Sequence, residues 1–348
     1  ARLVEQFIKN PALTVELLLI KARGKHLSRI PDAVKVTRLR ANSSLTATRE
    51  VADYLKEKKP DVLLTAKDRA GRLALRARKL AGTDTPVFLQ IHTTVSTSLK
   101  NRHPVIRWWR YRRIRQSYFM ANKVFTVSNG VAKDLQNITG LEPDKFATVR
   151  NPLITDELFD LASQPIDHPW LSGNRTIPTI LAAGRFTQQK DFATLVRAFA
   201  ILQTLRPSRL IIIGDGPLMN EVKQLIGELG IEKLVSLPGF QDNPFSWMKN
   251  ADLLVLSSKW EGLGNVIVES LAVGTPVVST DCPSGPAEIL QEGKLGLLVP
   301  TENPEALADA MASTLKSRTR APEFLEELSE YTAENSAKKY LELMGLAD

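Results

Sequence analysis

The chain has 348 residues, of which 43% are hydrophobic and 24% are charged, as in an ordinary globular protein. Its length predicts two domains, because single hydrophobic cores usually stop growing at about 250 residues. No apolar run reaches the roughly 18 residues that a membrane-spanning helix requires, and the single cysteine, Cys282, excludes an intramolecular disulfide framework.

Charge is distributed unevenly along the chain, whose formal net charge is +8. Residues 1–150 contain 30 Lys and Arg against 12 Asp and Glu, whereas residues 151–348 contain 16 against 26. A basic half is therefore joined to an acidic half, and we expect an anionic surface or an acidic ligand as the partner of the first half.

The first half alternates short apolar runs with more polar helical stretches. This alternation predicts βαβ units and a parallel sheet, and hence a Rossmann-like domain over residues 1–150. In chain order, the predicted strands are TVELLLI (14–20), VKVTRL (34–39), DVLLTA (61–66), PVFLQIH (86–92) and KVFTVS (123–128).

Residues 151–174 are rich in proline and polar residues and have no sustained periodicity, so we predict a linker there. The alternation then resumes more regularly and predicts a second, doubly wound α/β domain over residues 175–330. We expect residues 331–348 to form a helix that packs back on the first domain. The predicted strands of the second domain are TIPTILAAG (176–184), RLIIIGDG (209–216), KLVSLPG (233–239), DLLVLSS (252–258) and PVVSTD (276–281).

Two Rossmann-like domains are expected to face each other across a cleft, with ligands at the carboxyl ends of the strands. Gly184 follows a strand there and permits a tight turn, and Arg185 and Lys190 come soon after it. These two cations suit a diphosphate, although solvated loop cations would look the same. Gly214 opens a similar turn, GDGP, which an ordinary strand-to-helix connection also explains.

Two further loops follow strands of the second domain. In LPGFQDNP (237–244), Phe240 offers a platform for a nucleobase, although a lone Phe is more often part of a core. In SSKWEGLGNVIVESL (257–271), a helix is expected to begin near Gly264 and Asn265, where backbone amides favour a phosphate. The whole predicted anion loop is Glu261, Gly262, Leu263, Gly264 and Asn265, with Glu269 one turn into the helix.

The two carboxylates, Glu261 and Glu269, flank this phosphate position. A polyhydroxylated phosphate ester would explain both, because each carboxylate can accept hydrogen bonds from one set of hydroxyl groups. Taken alone, Glu269 is also explained as an acid that favours the helix dipole.

Five motifs together resemble the donor-binding domain of family 4 of the retaining GT-B glycosyltransferases. They are GRFTQQKDF (184–192), GDGP (214–217), LPGF (237–240), EGLGNVIVESLAVGTPVVSTDCPSGPAEIL (261–290) and GLLVP (296–300). The resemblance implies that Glu261 contacts the donor sugar, that Glu269 contacts the nucleotide ribose, and that Arg185 and Lys190 hold the diphosphate. It also implies transfer of a hexose or N-acetylhexosamine, although many such members have Arg where this chain has Ala287.

The resemblance is looser in the first half. His92, at the end of PVFLQIH, matches a family histidine that faces the donor sugar and the acceptor, although a lone His at a strand end is more often structural. The family normally begins with an apolar strand and a Gly-Gly loop, whereas residues 1–10, ARLVEQFIKN, resemble the helix that would follow them. We therefore expect either a fragment or a member without its first strand.

The resemblance implies a retaining transferase that needs no metal and uses a nucleotide-sugar, with UDP as the expected nucleotide. Glu261, His92, Arg185 and Lys190 are its expected catalytic residues. Negative charge would build on the departing diphosphate, where Arg185, Lys190 and the amides of the anion loop would stabilise it. No carboxylate is an evident nucleophile, so we expect front-face attack by the hydroxyl of a saccharide or lipid-linked acceptor.

KNRHPVIRWWRYRRIRQSYF (100–119) has seven Lys and Arg, five aromatic residues and no acid. A cationic element of this kind is typical of contact with anionic lipid headgroups, which suits a cytoplasmic enzyme at the inner face of the plasma membrane. A solvated helix whose aromatic side chains pack inward explains it equally well. The expected membrane or acceptor contacts are Arg107, Trp108, Trp109, Arg110, Arg112 and Arg113.

Two alternatives from other classes remain. The basic half would also suit nucleic acid, because cations interleaved with aromatic residues bind phosphates and stack on bases. That hypothesis leaves the five motifs of the acidic half unexplained, so we expect no nucleic-acid partner. The second alternative is a catalytically silent nucleotide-sugar-binding protein, which an incomplete first domain would favour.

Overall fold

The computed structural model describes residues 2–20, 30–41, 44–100, 102–173, 175–317 and 325–347. The chain divides into two compact units: Ala1–Pro152 with Thr332–Asp348, and Leu153–Tyr331. Each unit contains a parallel sheet with helices between its strands, so the predicted α/β fold class is confirmed. Residue 174 of the predicted linker and residues 318–324 of the predicted second domain lie outside the described residues.

The first unit contains six described strands. These are β1 Glu16–Leu19, β2 Lys35–Arg38, β3 Leu63–Ala66, β4 Val87–Ile91, β5 Lys123–Thr126 and β6 Phe146–Thr148. Between and before them lie helices α1 Arg2–Phe7, α2 Ser44–Lys58, α3 Asp68–Ala81, α4 Val95–Ser98, α5 Pro104–Met120 and α6 Asn129–Thr139.

The main sheet of this unit has the order β3-β4-β5-β6, and every described pairing in it is parallel. All five residues of β4 are buried, as expected for a central strand covered on both faces. Strands β1 and β2 form a separate parallel pair. Strand β6 was not predicted, because its three residues are too few to show a periodic pattern.

The second unit contains six described strands and seven described helices. The strands are β7 Thr179–Ala183, β8 Arg209–Ile213, β9 Val235–Gly239, β10 Leu253–Leu256, β11 Val277–Thr280 and β12 Leu297–Val299. The helices are α7 Asp156–Ser163, α8 Phe192–Leu205, α9 Met219–Glu228, α10 Pro244–Asn250, α11 Asn265–Ala272, α12 Pro286–Ile289 and α13 Pro304–Ser317.

The order of the second sheet is β12-β11-β10-β7-β8-β9. The chain begins this sheet at β7, adds β8 and β9 on one side, and then returns to add β10, β11 and β12 on the other side. The strand order therefore reverses between β7 and β10, whose residues are all buried. In open parallel sheets, the carboxyl ends of the strands at such a reversal border a crevice in which ligands bind.

The structure differs from the prediction over residues 151–174. From Leu153 onward this segment belongs to the second unit, and it contains helix α7. The hydroxyl of Thr155 caps the helix by accepting a 3.2 Å hydrogen bond from the backbone N–H of Leu158, which is fully buried. A helix of eight residues makes only about two turns, which is too short for its periodicity to stand out from a linker.

Helix α14, Ala333–Met344, lies in the first unit although it follows the second in the chain. Its Tyr340 is fully buried and packs edge-on against Phe125 of β5, with ring centroids 5.1 Å apart. The side-chain amide of Gln90 in β4 donates a 2.5 Å hydrogen bond to the Tyr340 hydroxyl. These contacts fix α14 to the two central strands of the sheet.

Candidate functional site

Two loops of the second unit leave the sheet where its strand order reverses. Residues 184–191 follow β7, and residues 257–264 follow β10. Hydrogen bonds join these loops, since the backbone N–H of Lys259 donates to the carbonyl of Gln189 over 2.8 Å. The Ser257 hydroxyl also donates to the Lys190 carbonyl over 2.8 Å. The loops therefore form one structure, as the topology of the sheet predicts.

A cavity of about 500 Å³ lies at this end of the sheet. Phe240 is 62% exposed there, so the alternative that it belongs to the core is wrong. The predicted residues that line the cavity are Gly184, Arg185, Gly214, Phe240 and Glu269, and their neighbours include Asp215, Gly216 and Gln241. Residues from the loops after β7, β8 and β9 and from helices α10 and α11 thus converge on a single pocket.

Gly214 has a specific structural reason to be glycine. Its φ is +134°, and a Cβ atom at this position would lie 1.9 Å from the carbonyl oxygen of Gly184. Its N–H donates a 2.8 Å hydrogen bond to the carbonyl of Gly239 at the end of β9. The GDGP turn therefore not only precedes a helix but also allows two backbone segments to meet at the pocket wall.

The predicted anion loop ends as expected, since helix α11 begins at Asn265. Gly264 occupies the N-cap position with φ +92° and has no side chain with which to cap the first turn. The preceding residue, Leu263, is buried, and a Cβ atom at Gly285 would lie 2.0 Å from its carbonyl oxygen. The CPSGP turn therefore supports the anion loop by direct backbone contact.

Lys190 and Glu261 form a salt bridge, with Nζ 2.6 Å from Oε1. Their side chains are only 17% and 9% exposed. The sequence assigned the two residues to different parts of one ligand and did not predict that they would pair. A Cβ atom at Gly184 would lie 3.0 Å from Lys190 Cε, so the lysine stem lies against the glycine that lines the pocket.

Residues that sequence analysis missed surround this pair. The Ser258 hydroxyl donates a 2.7 Å hydrogen bond to Glu261 Oε1, and the Gln189 side-chain amide lies 3.4 Å from Oε2. A hydroxyl three residues before a functional acid is a local signal that could have indicated Ser258. Gln189 has no such signal, because it is far from Glu261 in the chain.

Cys282 lies close to the same carboxylate but is chemically quiet. Burial is the main cause that raises the pKa of the Cys282 thiol, and the negative charge of Glu261 is the second. The pKa rises to about 12. The thiol is therefore protonated at neutral pH and is not a nucleophile.

His92 belongs to the first unit, directly after β4. Burial lowers the pKa of the His92 imidazole, the nearby charge of Lys67 lowers it further, and a hydrogen bond with Asn151 opposes both. The imidazole is therefore neutral at pH 7 and can accept or donate a hydrogen bond there. Its predicted role toward a donor sugar stays a prediction.

Comparisons with known proteins agree with this architecture. Residues 169–338 match the family profile described as "Glycosyl transferases group 1", and residues 13–157 match that described as "Glycosyltransferase Family 4". The chain belongs to the family 4 glycosyltransferases. The resemblance inferred from the five motifs is thereby confirmed.

Two curated glycosyltransferases are similar to this chain over part of its length. One is the N-acetylgalactosamine-N,N'-diacetylbacillosaminyl-diphospho-undecaprenol 4-alpha-N-acetylgalactosaminyltransferase of Campylobacter jejuni, 31% identical over 60% of this chain and 57% of that protein. The other is the lipopolysaccharide core biosynthesis glycosyltransferase LpsE of Rhizobium meliloti, 34% identical over 51% of this chain and 53% of that protein. The chain thus spans about half the length of these relatives.

The fold is also that of solved glycosyltransferase structures. Anabaena Alr3699/HepE in complex with UDP superposes with a TM-score of 0.77, at 18% identity, over 99% of this chain and 95% of that one. This likeness supports the GT-B fold class for this family 4 glycosyltransferase.

The predicted membrane or acceptor contacts all lie on helix α5 of the first unit. Trp108 and Trp109 are 55% and 54% exposed, and Arg112 lies over the Trp108 ring at 5.8 Å from its centroid. Ile114 and Tyr118 are buried instead and hold the helix to its unit. The alternative that the tryptophans pack inward is therefore wrong. Arg107 is half-buried, whereas Arg110, Arg112 and Arg113 are exposed.

Neither a metal-binding cluster nor a membrane-spanning helix occurs in the part of the chain that the structure describes. No group of His, Cys, Asp or Glu side chains among the described residues is arranged to hold a metal ion. No helix within the described ranges is both long and apolar enough to cross a bilayer.

Proposed function

We propose that the chain is a retaining glycosyltransferase that transfers a hexose or N-acetylhexosamine from a UDP-sugar. The acceptor in this proposal is a saccharide or a lipid-linked saccharide of the cell envelope. The observation that carries it is the pocket where the strand order reverses, with Glu269 in its wall and Lys190, which pairs with Glu261, packed against Gly184 of the same wall. Such a site suits a ligand that combines an aromatic base, hydroxyl groups and phosphates.

Each part of a nucleotide-sugar has a counterpart at this site. The exposed ring of Phe240 offers the base an apolar surface, and the half-buried carboxylate of Glu269 can accept hydrogen bonds from ribose hydroxyls. The start of α11 and the guanidinium of Arg185 suit the phosphates. Lys190 is then the cation for the diphosphate.

The names of similar proteins support the donor and acceptor classes. The Campylobacter jejuni relative is named for a diphospho-undecaprenol acceptor, and solved HepE structures hold UDP or UDP-glucose. We therefore place a UDP-sugar and a saccharide or lipid-linked acceptor in the proposal, without a metal cofactor.

The proposed reaction depends on charge that develops as the bond to the sugar breaks. The C1–O bond to the diphosphate lengthens, the sugar becomes oxocarbenium-like, and the leaving oxygen becomes negative. Lys190, Arg185 and the amides at the start of α11 stabilise that charge. The acceptor hydroxyl then attacks the same face of the sugar and passes its proton to the leaving phosphate.

Replacing Glu269 by alanine is expected to weaken UDP binding by about tenfold or more, because hydrogen bonds to a charged group are worth roughly 1.5–3 kcal/mol. Isothermal titration with UDP measures this loss. Glu228→Ala is the matched control, since its exposed carboxylate in α9 contacts only Gln224 among the described hydrogen bonds. Equal UDP affinity in wild type and Glu269→Ala would contradict the ribose assignment.

The function itself is tested by thermal shift with UDP, GDP and ADP, followed by measurement of nucleotide release from the matching sugar donors. We expect the largest rise in Tm with UDP, and release of UDP from UDP-glucose or UDP-N-acetylglucosamine. Binding without turnover, in the presence of saccharide and lipid-linked acceptors, would favour a catalytically silent nucleotide-sugar-binding protein. No stabilisation by any nucleotide would refute the proposal.

We also propose that α5 contacts an anionic membrane, which would place the enzyme peripherally at the cytoplasmic face of the plasma membrane. The support is the outward position of Trp108 and Trp109 on a helix with no acidic residue. Indole rings insert at the headgroup level, and each nearby cation adds attraction to anionic lipid. Adjoining exposed apolar side chains of this size mark an interaction surface, whereas a helix that contacts only water gains nothing from them.

The double variant Trp108→Ala/Trp109→Ala is expected to lower binding to phosphatidylserine-containing vesicles at least tenfold, because each indole loses roughly 1.5–3 kcal/mol of apolar burial. Vesicle flotation at low salt measures this. Leu80→Ala removes another exposed apolar side chain of the same unit, on α3, and should not change flotation. If wild type does not float, the membrane proposal fails; binding to single-stranded RNA instead would favour the nucleic-acid alternative.

A further inference from the structure

Ser258 has an unusual position in the second unit. Its side chain is fully buried, and its hydroxyl donates a 2.7 Å hydrogen bond to Oε1 of Glu261. The same oxygen accepts the 2.6 Å bond from the ammonium of Lys190. One carboxylate oxygen therefore has two strong donors, of which only Lys190 has a role toward the ligand in the proposed function.

The backbone of Ser258 is held by the sheet. The Thr280 hydroxyl, at the end of β11, donates a 2.6 Å hydrogen bond to the Ser258 carbonyl. Thr280 is itself 1% exposed, and β11 pairs with β10, the strand that leads into the Ser258 loop. The hydroxyl of Ser258 thus links the Glu261 carboxylate to the rigid part of the unit rather than to another loop.

The two donors to Glu261 respond differently to a bound diphosphate. The Lys190 ammonium is charged and lies on a flexible stem, so a multiply charged phosphate group attracts it away from a single carboxylate. The Ser258 hydroxyl is neutral and fixed at its backbone, so no comparable force acts on it. The Ser258 hydroxyl is therefore placed to restrain Oε1 whether or not Lys190 is drawn away.

We propose that Ser258 is a positioning residue that holds the Glu261 carboxylate in place for the donor sugar while Lys190 turns toward the diphosphate. This inference rests on the proposed function, in which Glu261 contacts the sugar and Lys190 the diphosphate. It assigns Ser258 an effect on the sugar part of the donor and none on the nucleotide part.

The test compares Ser258→Ala with wild type in two measurements, the Kd for UDP and the steady-state kinetics of UDP release. The donor is UDP-glucose or UDP-N-acetylglucosamine, whichever the wild type consumes. We expect kcat/KM to fall about tenfold or more, as for a lost hydrogen bond to a charged group. The Kd for UDP should stay within about twofold of wild type, because UDP lacks the sugar.

Two further variants separate positioning from general loss of stability. Ser270→Ala removes another fully buried serine hydroxyl, which bonds the Thr275 carbonyl away from Glu261, and should keep wild-type kinetics. Ser258→Thr keeps the hydroxyl and should restore most of kcat/KM. If Ser258→Thr lowers Tm, the comparison between Ser258→Ala and Ser270→Ala is enough to separate positioning from a general loss of stability.

Three outcomes overturn the proposal. Wild-type kcat/KM in Ser258→Ala shows that Glu261 is held in place without the Ser258 hydroxyl. An equal loss of UDP affinity and of kcat/KM, or an equal loss in Ser270→Ala, shows a purely structural role. A wild-type protein that neither binds UDP nor releases it from a UDP-sugar refutes the proposed function itself, and that result is distinct from the other two.

Discussion

Replacing Lys190 by alanine is expected to lower the rate of UDP release from the UDP-sugar by about 10²–10³-fold, the usual effect of removing one hydrogen-bond donor to a developing anion. Its Nζ is 2.6 Å from a carboxylate whose side chain is 9% exposed, and its stem lies against Gly184 of the pocket wall, so the cation needs only to turn from Glu261 to reach a bound diphosphate. The substitution removes one donor to Glu261 and keeps the hydrogen bonds from the Ser258 hydroxyl and the Gln189 amide. We therefore expect a folded protein with reduced stability.

The control for this prediction is Lys259→Ala. Lys259 lies in the loop after β10 and pairs with Glu302 at 2.5 Å, with its side chain 33% exposed. An ion pair of this kind contributes about 0–1 kcal/mol. Lys259 Nζ also lies 3.8 Å from Asp191 Oδ2, and neither of its two carboxylate partners belongs to the Lys190–Glu261 pair or to the pocket lining. Activity within about twofold of wild type is expected. A folded Lys190→Ala variant with wild-type turnover would overturn the assignment of the leaving-group cation.

Replacing Gly214 by alanine is expected to lower Tm by roughly 6–12 °C and to abolish stabilisation by UDP. The residue has φ +134°, a region that is essentially restricted to glycine and costs other residues about 1–3 kcal/mol. A Cβ atom would also lie 1.9 Å from the Gly184 carbonyl oxygen, which is backbone and cannot rotate away. For a unit of this size, each 1 kcal/mol corresponds to about 2–4 °C.

Gly230→Ala is the control that separates the cost of a positive φ from the steric clash expected in Gly214→Ala. Its φ is +66°, and a Cβ atom there would meet nothing within 4 Å. Only the cost of the left-handed conformation remains, about 1–2 kcal/mol, so we expect a Tm shift of a few degrees with unchanged UDP binding. Differential scanning fluorimetry with and without UDP measures both effects. Equal shifts in the two variants would show that the close approach at Gly214 is relieved by small movements.

Much of the second unit could be predicted from local patterns. Its buried strands are continuous apolar runs, because parallel strands are covered on both faces. The start of α11 near Gly264 and Asn265 was predicted, and the structure shows Gly264 at the N-cap with the positive φ that glycine accepts. Loops that follow successive parallel strands meet at one edge, so the positions of Gly184, Arg185, Gly214 and Glu269 around one pocket followed from topology alone.

Other features depended on tertiary packing. The predicted linker contains α7, which Thr155 caps locally but whose buried residues Leu158 and Ala162 are covered only by its packing in the second unit. The outward position of Trp108 and Trp109 depended on which face of α5 finds a neighbour, and α5 has apolar residues on more than one face. Periodicity counts apolar residues but does not say which of several apolar faces is covered.

The sequence by itself determined the α/β order, the loops that carry chemistry and the family to which the chain belongs, because each depends on residues close together in the chain. Only the tertiary structure decided that Lys190 pairs with Glu261 and that Ser258 holds the same carboxylate oxygen. Lys190 and Glu261 are 71 positions apart and meet because β10 lies beside β7. Strand order depends on how all the strands pack together, and no local pattern encodes it.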